Sequence, residues 1–272
     1  TGNQVKPEPV MPKLRLKNNL NGQAAVSALG KDLPAVARFY GKTAEELKDL
    51  LLNDSTVHLD SQGRIYYVDP VRHSEPDLID GLAPAKKKLV NDYTHDHADD
   101  HATGSDESIK PIVAQDVQIT LPPTAFAFNL HSKQGAARVI YLDFNGHTVT
   151  GKEWNTLRQV SSFVQAPFDL DNAPGSFNEA EREFILQTWR IVANDFASFD
   201  VNVTTEQPSD LSTIGAYVVI SPSNMVAICG SCGGIAYLNS FSALNARYQP
   251  SFTFTTSNST PVQVAGTISH EV

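Results

Sequence analysis

The chain ends in Thr267-Ile268-Ser269-His270-Glu271-Val272, which places an imidazole and a carboxylate on consecutive positions. On a helix, His followed by Glu begins the H-E-x-x-H pattern. In that pattern two His one turn apart bind zinc and the intervening Glu is a general base. Peptide hydrolysis needs a water made nucleophilic near neutral pH. Zinc held by neutral imidazoles achieves this by lowering the water pKa toward about 7. His270 is therefore the candidate zinc ligand and Glu271 the candidate proton acceptor. The second His of the pattern would fall at position 274, two residues past Val272. One imidazole cannot hold catalytic zinc, so the 272-residue chain is expected to be inactive.

Two other clusters carry metal-binding residue types. His95-Asp96-His97 and Asp99-Asp100-His101 lie in a stretch, 91–107, with six acidic residues, three His and no Lys or Arg. That stretch has almost no apolar content and cannot bury enough surface to order itself, so it reads as a solvated linker. Asp169-Leu170-Asp171 hints at a calcium loop, but Ala173, Pro174 and Ala180 occupy positions that an EF-hand needs for ligands and a sharp turn. It reads as a loop feeding a helix. His147, after Asn145-Gly146, reads as a turn residue, and Trp189 and Phe199 as core.

The terminal pair must sit on a helix. Thr260 can cap one, with Pro261 at its first position. Val262, Ala265, Ser269 and Val272 would form one face, with His270 and residue 274 on another. Upstream, 138–144 reads as a near-continuous apolar strand. Glu179 through Phe196 reads as a helix capped by Ser176 or Asn178, with Phe184, Ile185, Thr188, Ile191, Val192 and Phe196 at 3.6-residue spacing. Glu179, Glu181, Arg182 and Glu183 would face solvent. Strands are expected over 200–205, 214–220, 234–241 and 252–256.

Nearer the start, 33–53 shows two apolar clusters at helical spacing, broken at Gly41-Lys42. Thr43 with Glu46 forms a capping box for a helix from Ala44. Residues 57–60 and 64–69 read as strand, turn, strand. Together they make a small α+β unit of about 50 residues, marginal for independent folding. The first 30 residues are weakly patterned.

The length of 272 residues suggests roughly two domains on a prior of about 150 each. Net charge is −9, which argues against nucleic-acid or anionic-membrane partners, since both favour a basic face. No apolar run approaches the roughly 18 residues of a membrane span. No apolar segment follows Thr1, so the chain is expected either to be cytosolic or to have lost a signal peptide.

Several segments, in order and spacing, resemble the secreted bacterial reprolysin-like zinc metallopeptidases of the metzincin clan. They are Arg138-Val139-Ile140-Tyr141-Leu142-Asp143-Phe144-Asn145-Gly146-His147, the run from Trp189 to Glu206, Gly233-Gly234-Ile235-Ala236-Tyr237-Leu238, and Ile268-Ser269-His270-Glu271-Val272. The likeness covers roughly 116–272, and 40–69 is similar to pro-segments preceding such enzymes. It implies an α+β fold: a small pro-segment (1–90), an acidic His-containing linker (91–115), and the first part of a catalytic domain (116–272). That domain would be a twisted mixed sheet with helices, reaching the active-site helix. The likeness also implies a continuation H-E-x-x-H-x-x-G-x-x-H and a Met-turn, of which only His270 and Glu271 map here. Zn2+ is the implied cofactor and protein or peptide the implied substrate. The pro-segment would act as an intramolecular inhibitor, and the location would be extracellular.

The same likeness places the cleft-bordering strand near 234–240, where substrate could add as an antiparallel strand; the plainer reading puts Tyr237 in a core. Cys229-Gly230-Ser231-Cys232 lacks the second Cys or His pair of a structural zinc site. It opens a strand rather than the helix of a redox pair. A short disulfide stiffening the turn before the cleft strand is the remaining reading. No Cys precedes 229, so a thiol latch from the pro-segment is impossible, and an Asp or His of the linker is the expected substitute. Two readings of another class stay open: a non-catalytic secreted module acting as folding aid or inhibitor, and an extracellular metal-binding protein using the linker.

Overall fold

In chain order the elements of the computed structural model are α1 (Gly22–Leu29), α2 (Leu33–Phe39), α3 (Ala44–Asn53), β1 (Val57–Leu59), β2 (Ile65–Pro70), β3 (Arg138–Asp143), β4 (His147–Thr150), α4 (Glu153–Arg158), β5 (Ser162–Gln165), α5 (Glu179–Asp195), β6 (Val201–Thr204), β7 (Ala216–Ser221), a turn of helix α6 (Val226–Cys229), β8 (Cys232–Tyr237), β9 (Ser251–Phe254) and α7 (Pro261–Glu271). The structure describes residues 9–71, 122–211, 215–222, 225–241, 243–256 and 259–272. The expected linker, with its two His-Asp clusters, lies outside them.

Seven strands form one mixed sheet in the order β1-β2-β8-β9-β7-β3-β6, and β4-β5 make a separate hairpin. The strands β6, β3, β7 and β9 run parallel, while β8 and then β2 and β1 add antiparallel. The fold is thus mixed α/β, with a large mixed sheet and several helices. Residues 9–71 and 122–272 belong to one compact unit, because β1 and β2 extend the sheet built by the later chain. The small N-terminal unit read from the sequence does not stand apart.

Alternation along the strands sends successive side chains to opposite faces. Ile140, Leu142, Val218 and Ile220 face one core, shared with Phe184, Ile185 and Val192 of α5 and with Val264, Ala265 and Ile268 of α7. Tyr141, Tyr217, Val219, Ile235 and Phe252 face the other, shared with Trp154 of α4 and Tyr66 of β2. Burial on both faces explains why 138–144 and 216–221 read as continuous apolar runs rather than alternating ones. A third cluster packs Leu29, Val36, Leu47 and Leu51 of the N-terminal helices on β1 and on Ile65 of β2.

Helix starts follow their local chemistry. Thr43 and Glu46 form the expected capping box of α3, and Asn178 caps α5 together with Glu181. Glu181 is fully buried, against the expectation that it faces solvent. Its carboxylate accepts hydrogen bonds from the backbone N–H groups of Asn178 and Leu170, which makes burial affordable. Phe199 is 58% exposed rather than core. Trp189 is partly buried and donates from Nε1 to Val203 O at 2.9 Å. α1, α4 and the β4-β5 hairpin had no strong periodic signal and were not anticipated. Gly146 makes the turn into β4 with φ of +82°, and any Cβ there would lie 2.7 Å from the Pro167 nitrogen.

Candidate functional site

α7 begins as expected. Thr260 accepts from the Gln263 N–H at 3.3 Å, Gln263 returns the bond to the Thr260 N–H, and Pro261 occupies the first helical position. Its buried face is Val264, Ala265, Thr267, Ile268 and Glu271. This corrects the face read from the sequence: Val262 is 43% exposed, and Ser269 turns to α5, where its hydroxyl donates to Asp195 Oδ2 at 2.6 Å. The shift is about one residue around the helix, set by α5 packing alongside.

His270 and Glu271 therefore point in different directions. The carboxyl end of Glu271 is buried, 3% exposed, and rests against Gly234 of β8. A Cβ on Gly234 would collide with Glu271 and lie 2.7 Å from Thr267 Cγ2. His270 is 45% exposed at its side chain and turns toward β2, with Nε2 3.1 Å from Asp69 Oδ1. The Tyr67 ring stands edge-on to the imidazole at 6.4 Å. Tyr67, Leu238, Phe241, His270 and Glu271 line a cleft of about 420 Å³.

β8 is the strand expected near 234–240, and it ends at Tyr237. Its outer edge is not open. β2 pairs along it antiparallel, with Tyr66 opposite Tyr237, Val68 opposite Ile235 and Asp69 opposite Gly234. Register shifts between Asp69 and Pro70. Tyr237 is buried in the core, as its plainer reading had it, and its hydroxyl donates to Asp60 Oδ2 at 3.1 Å. Cys229 and Cys232 are joined in a disulfide across the turn before β8.

Asp69 and Gly234 were not singled out from sequence. An acidic residue late in a strand and followed by Pro was the available signal for Asp69. Pro70 cannot donate to the ladder, so Asp69 had to be the last regularly paired residue.

Other polar clusters offer less. Asp143, at the end of β3, is nearly buried, with Tyr217 OH donating to its Oδ2 at 3.3 Å. Burial pushes its carboxyl up to about 6, against the pull of the Asn145 N–H and the Tyr217 and Tyr141 hydroxyls. His147 Nδ1 lies 3.7 Å from Asp143 Oδ2, and burial holds that imidazole below its ordinary value. Both groups are driven toward neutrality, so the contact is a weak one rather than an ion pair. Asp169, Asp171 and Glu181 bring carboxylate oxygens within 4.8 Å of one another, but Glu181 is occupied by backbone donors and Asp171 Oδ2 by the Asn178 amide. A larger groove of about 520 Å³ beside His131 and Trp189 lies away from α7. Both ring nitrogens of its His131 are already bonded, to Glu206 and Asn202.

No family model, curated protein or solved structure matches the chain.

Proposed function

We propose that the chain is the precursor form of a zinc-dependent endopeptidase, comprising an inhibitory pro-segment (1–90, of which the structure describes 9–71) and the part of the catalytic domain that reaches α7. One observation carries this reading. His270 and Glu271 occupy consecutive positions of a capped, buried helix whose Glu is wedged against β8 and whose His faces a cleft. A zinc hydrolase site needs this division of labour. A metal-facing imidazole sits beside a carboxylate held too firmly to swing away.

The donors fit zinc chemistry. His270 Nε2 and a carboxylate oxygen converge at 3.1 Å, and imidazole and carboxylate are both ordinary zinc ligands. When bound, zinc supplies Lewis-acid polarisation of a peptide carbonyl and an acidified water. Glu271 accepts the proton of the attacking water at its carboxylate and passes it to the leaving amine. β8, next to Glu271, offers its edge to an extended peptide through main-chain hydrogen bonds once β2 is gone. The disulfide fits an oxidising, extracellular compartment. Because Tyr66 completes the core around Trp154, the pro-segment also acts as a folding aid.

The proposal requires two further imidazoles from residues after Val272, the first at position 274. The test is the natural sequence past Val272 together with zinc analysis and casein hydrolysis by the protein that carries it, after removal of the pro-segment. Stoichiometric zinc and chelator-sensitive hydrolysis that Glu271→Gln abolishes, with zinc retained, is the expected result. Absence of His two residues on, or hydrolysis indifferent to chelators, overturns the reading.

A further inference from the structure

We propose that Arg64 and Tyr40 form a binding site for a carboxylate, placed where the N-terminal helices meet the end of β8. The carboxylate belongs either to a small free organic acid or to the C-terminus of a peptide. The site is independent of the zinc chemistry proposed for α7.

Four features converge. The first is an arginine without an acid. Arg64 immediately precedes β2, and its guanidinium lies over the rings of Phe39 and Tyr248, with Cζ 4.8 Å from each centroid. Such stacking fixes the plane of the group and leaves its edge for hydrogen bonds. Among the described residues that edge meets no acceptor, and Nε is buried. A buried donor without an acceptor is costly, and native interiors rarely keep one.

The second feature is that the neighbouring acids are already satisfied. Asp60 accepts from the Gln62 and Arg64 N–H groups and from the Tyr237 hydroxyl. Glu153 is held by the Gln62 amide and by Arg247, whose Nε is 2.6 Å from Oε2. Neither carboxylate pairs with the Arg64 guanidinium.

The third is a second donor. Tyr40 Oη accepts from the Ile65 N–H at 2.9 Å, and its own proton remains to be given. Burial pushes that hydroxyl up, so it stays protonated.

The fourth is size. Phe39, Tyr40, Arg64, Tyr237 and Tyr248 line a cavity of about 40 Å³. At about 10–15 Å³ for each water-sized occupant, it takes about three heavy atoms, the number in a carboxylate head. A tetrahedral oxyanion has five. The planar guanidinium fork also matches a planar carboxylate. Tyr40 and Arg64 belong to the N-terminal segment, and Tyr237 and Tyr248 to the later chain, so a bound carboxylate stabilises their association.

The experiment uses the natural full-length protein at fixed ionic strength. It is titrated with acetate, with N-acetyl-Ala-Ala bearing a free C-terminus, with the C-terminal amide of the same dipeptide, and with sulfate. The unfolding midpoint and the Arg64 Nε–H resonance are followed. Acetate and the free-acid dipeptide are expected to raise the midpoint and move the resonance, saturating on the order of millimolar. The amide and sulfate are expected to do neither. A free-acid dipeptide much tighter than acetate assigns the site to a chain terminus, and equal affinities assign it to free acids. Tyr40→Phe is expected to weaken acetate by about 10-fold. Arg64→Lys, which keeps the charge and loses the fork, is expected to weaken it further. If these variants fail to fold, the wild-type resonance decides alone. A resonance unmoved by both carboxylates overturns the proposal. So does an equal response to the amide or to sulfate, or acetate binding unchanged in both variants.

Discussion

Gly234 is a glycine because Glu271 needs the space where a side chain would be. The carboxylate of Glu271 lies against the Gly234 backbone, so that a Cβ built there runs into it and into Thr267 Cγ2. The pressure is steric rather than conformational, since Gly234 does not adopt positive φ. Gly234→Ala is expected to push Glu271 off β8 and to cost about 1–3 kcal/mol through overpacking. On the proposed peptidase reading, it should lower the kcat of the processed protein far more than it raises KM. Full activity in Gly234→Ala, measured with a peptide substrate, would count against Glu271 as the proton acceptor.

Tyr66 couples the N-terminal segment to the later chain. It is fully buried, lies 5.7 Å from the Tyr237 ring and 6.3 Å from Trp154, and its hydroxyl donates to Asn19 at 2.8 Å. Further polar ties run from Gln62 to Glu153 and from the Asn19 amide to Ile228 O. The whole unit should unfold in one transition, and Tyr66→Ala should remove about 3–5 kcal/mol from it. Denaturant titration followed by tryptophan fluorescence and by far-ultraviolet circular dichroism checks this. Two separated transitions in wild type would refute a shared core.

Stability should depend on pH through Asp143. Its carboxyl is pushed from 3.8 to about 6 by burial, so the folded chain holds that proton more tightly than the unfolded one. The contribution is present in full below about pH 4 and is lost as pH rises through 6, on the order of 3 kcal/mol. His147, lowered by burial, works in the opposite sense, gaining stability as pH rises toward its unfolded value. Relative to wild type, Asp143→Asn should therefore gain stability steadily from pH 4 to pH 6.5. Guanidinium midpoints at several pH values supply the comparison; parallel curves for the two proteins would rule the effect out.

The cap of α7 should matter locally. Thr260→Ala removes the side-chain acceptor for the Gln263 N–H and should cost about 1 kcal/mol. Faster amide exchange in the first turn of α7, with other helices unaffected, is the expected signature. Uniform change across the protein would show that the cap is not what sets the helix start.

The Cys229–Cys232 disulfide closes a loop with a sequence separation of 3, so chain entropy assigns it about 2 kcal/mol, less than a long-loop bridge. Reduction should lower the unfolding midpoint modestly and leave the β8 amides protected. Loss of the fold on reduction would mean that the bridge does more than stiffen a turn.

What residues 1–272 determined by themselves were the local elements. Capping at Thr43, Asn178 and Thr260, the period of α5 and the apolar runs of β3 and β7 were legible because each depends on neighbours a few residues away. The His270-Glu271 pair was legible for the same reason. Only the tertiary structure decided that β2 lies along β8, that Asp69 meets His270, and that Gly234 receives Glu271. The first of these pairings joins residues more than a hundred positions apart. Strand partnership across such a separation depends on which faces bury which others, and no short window of sequence carries that information.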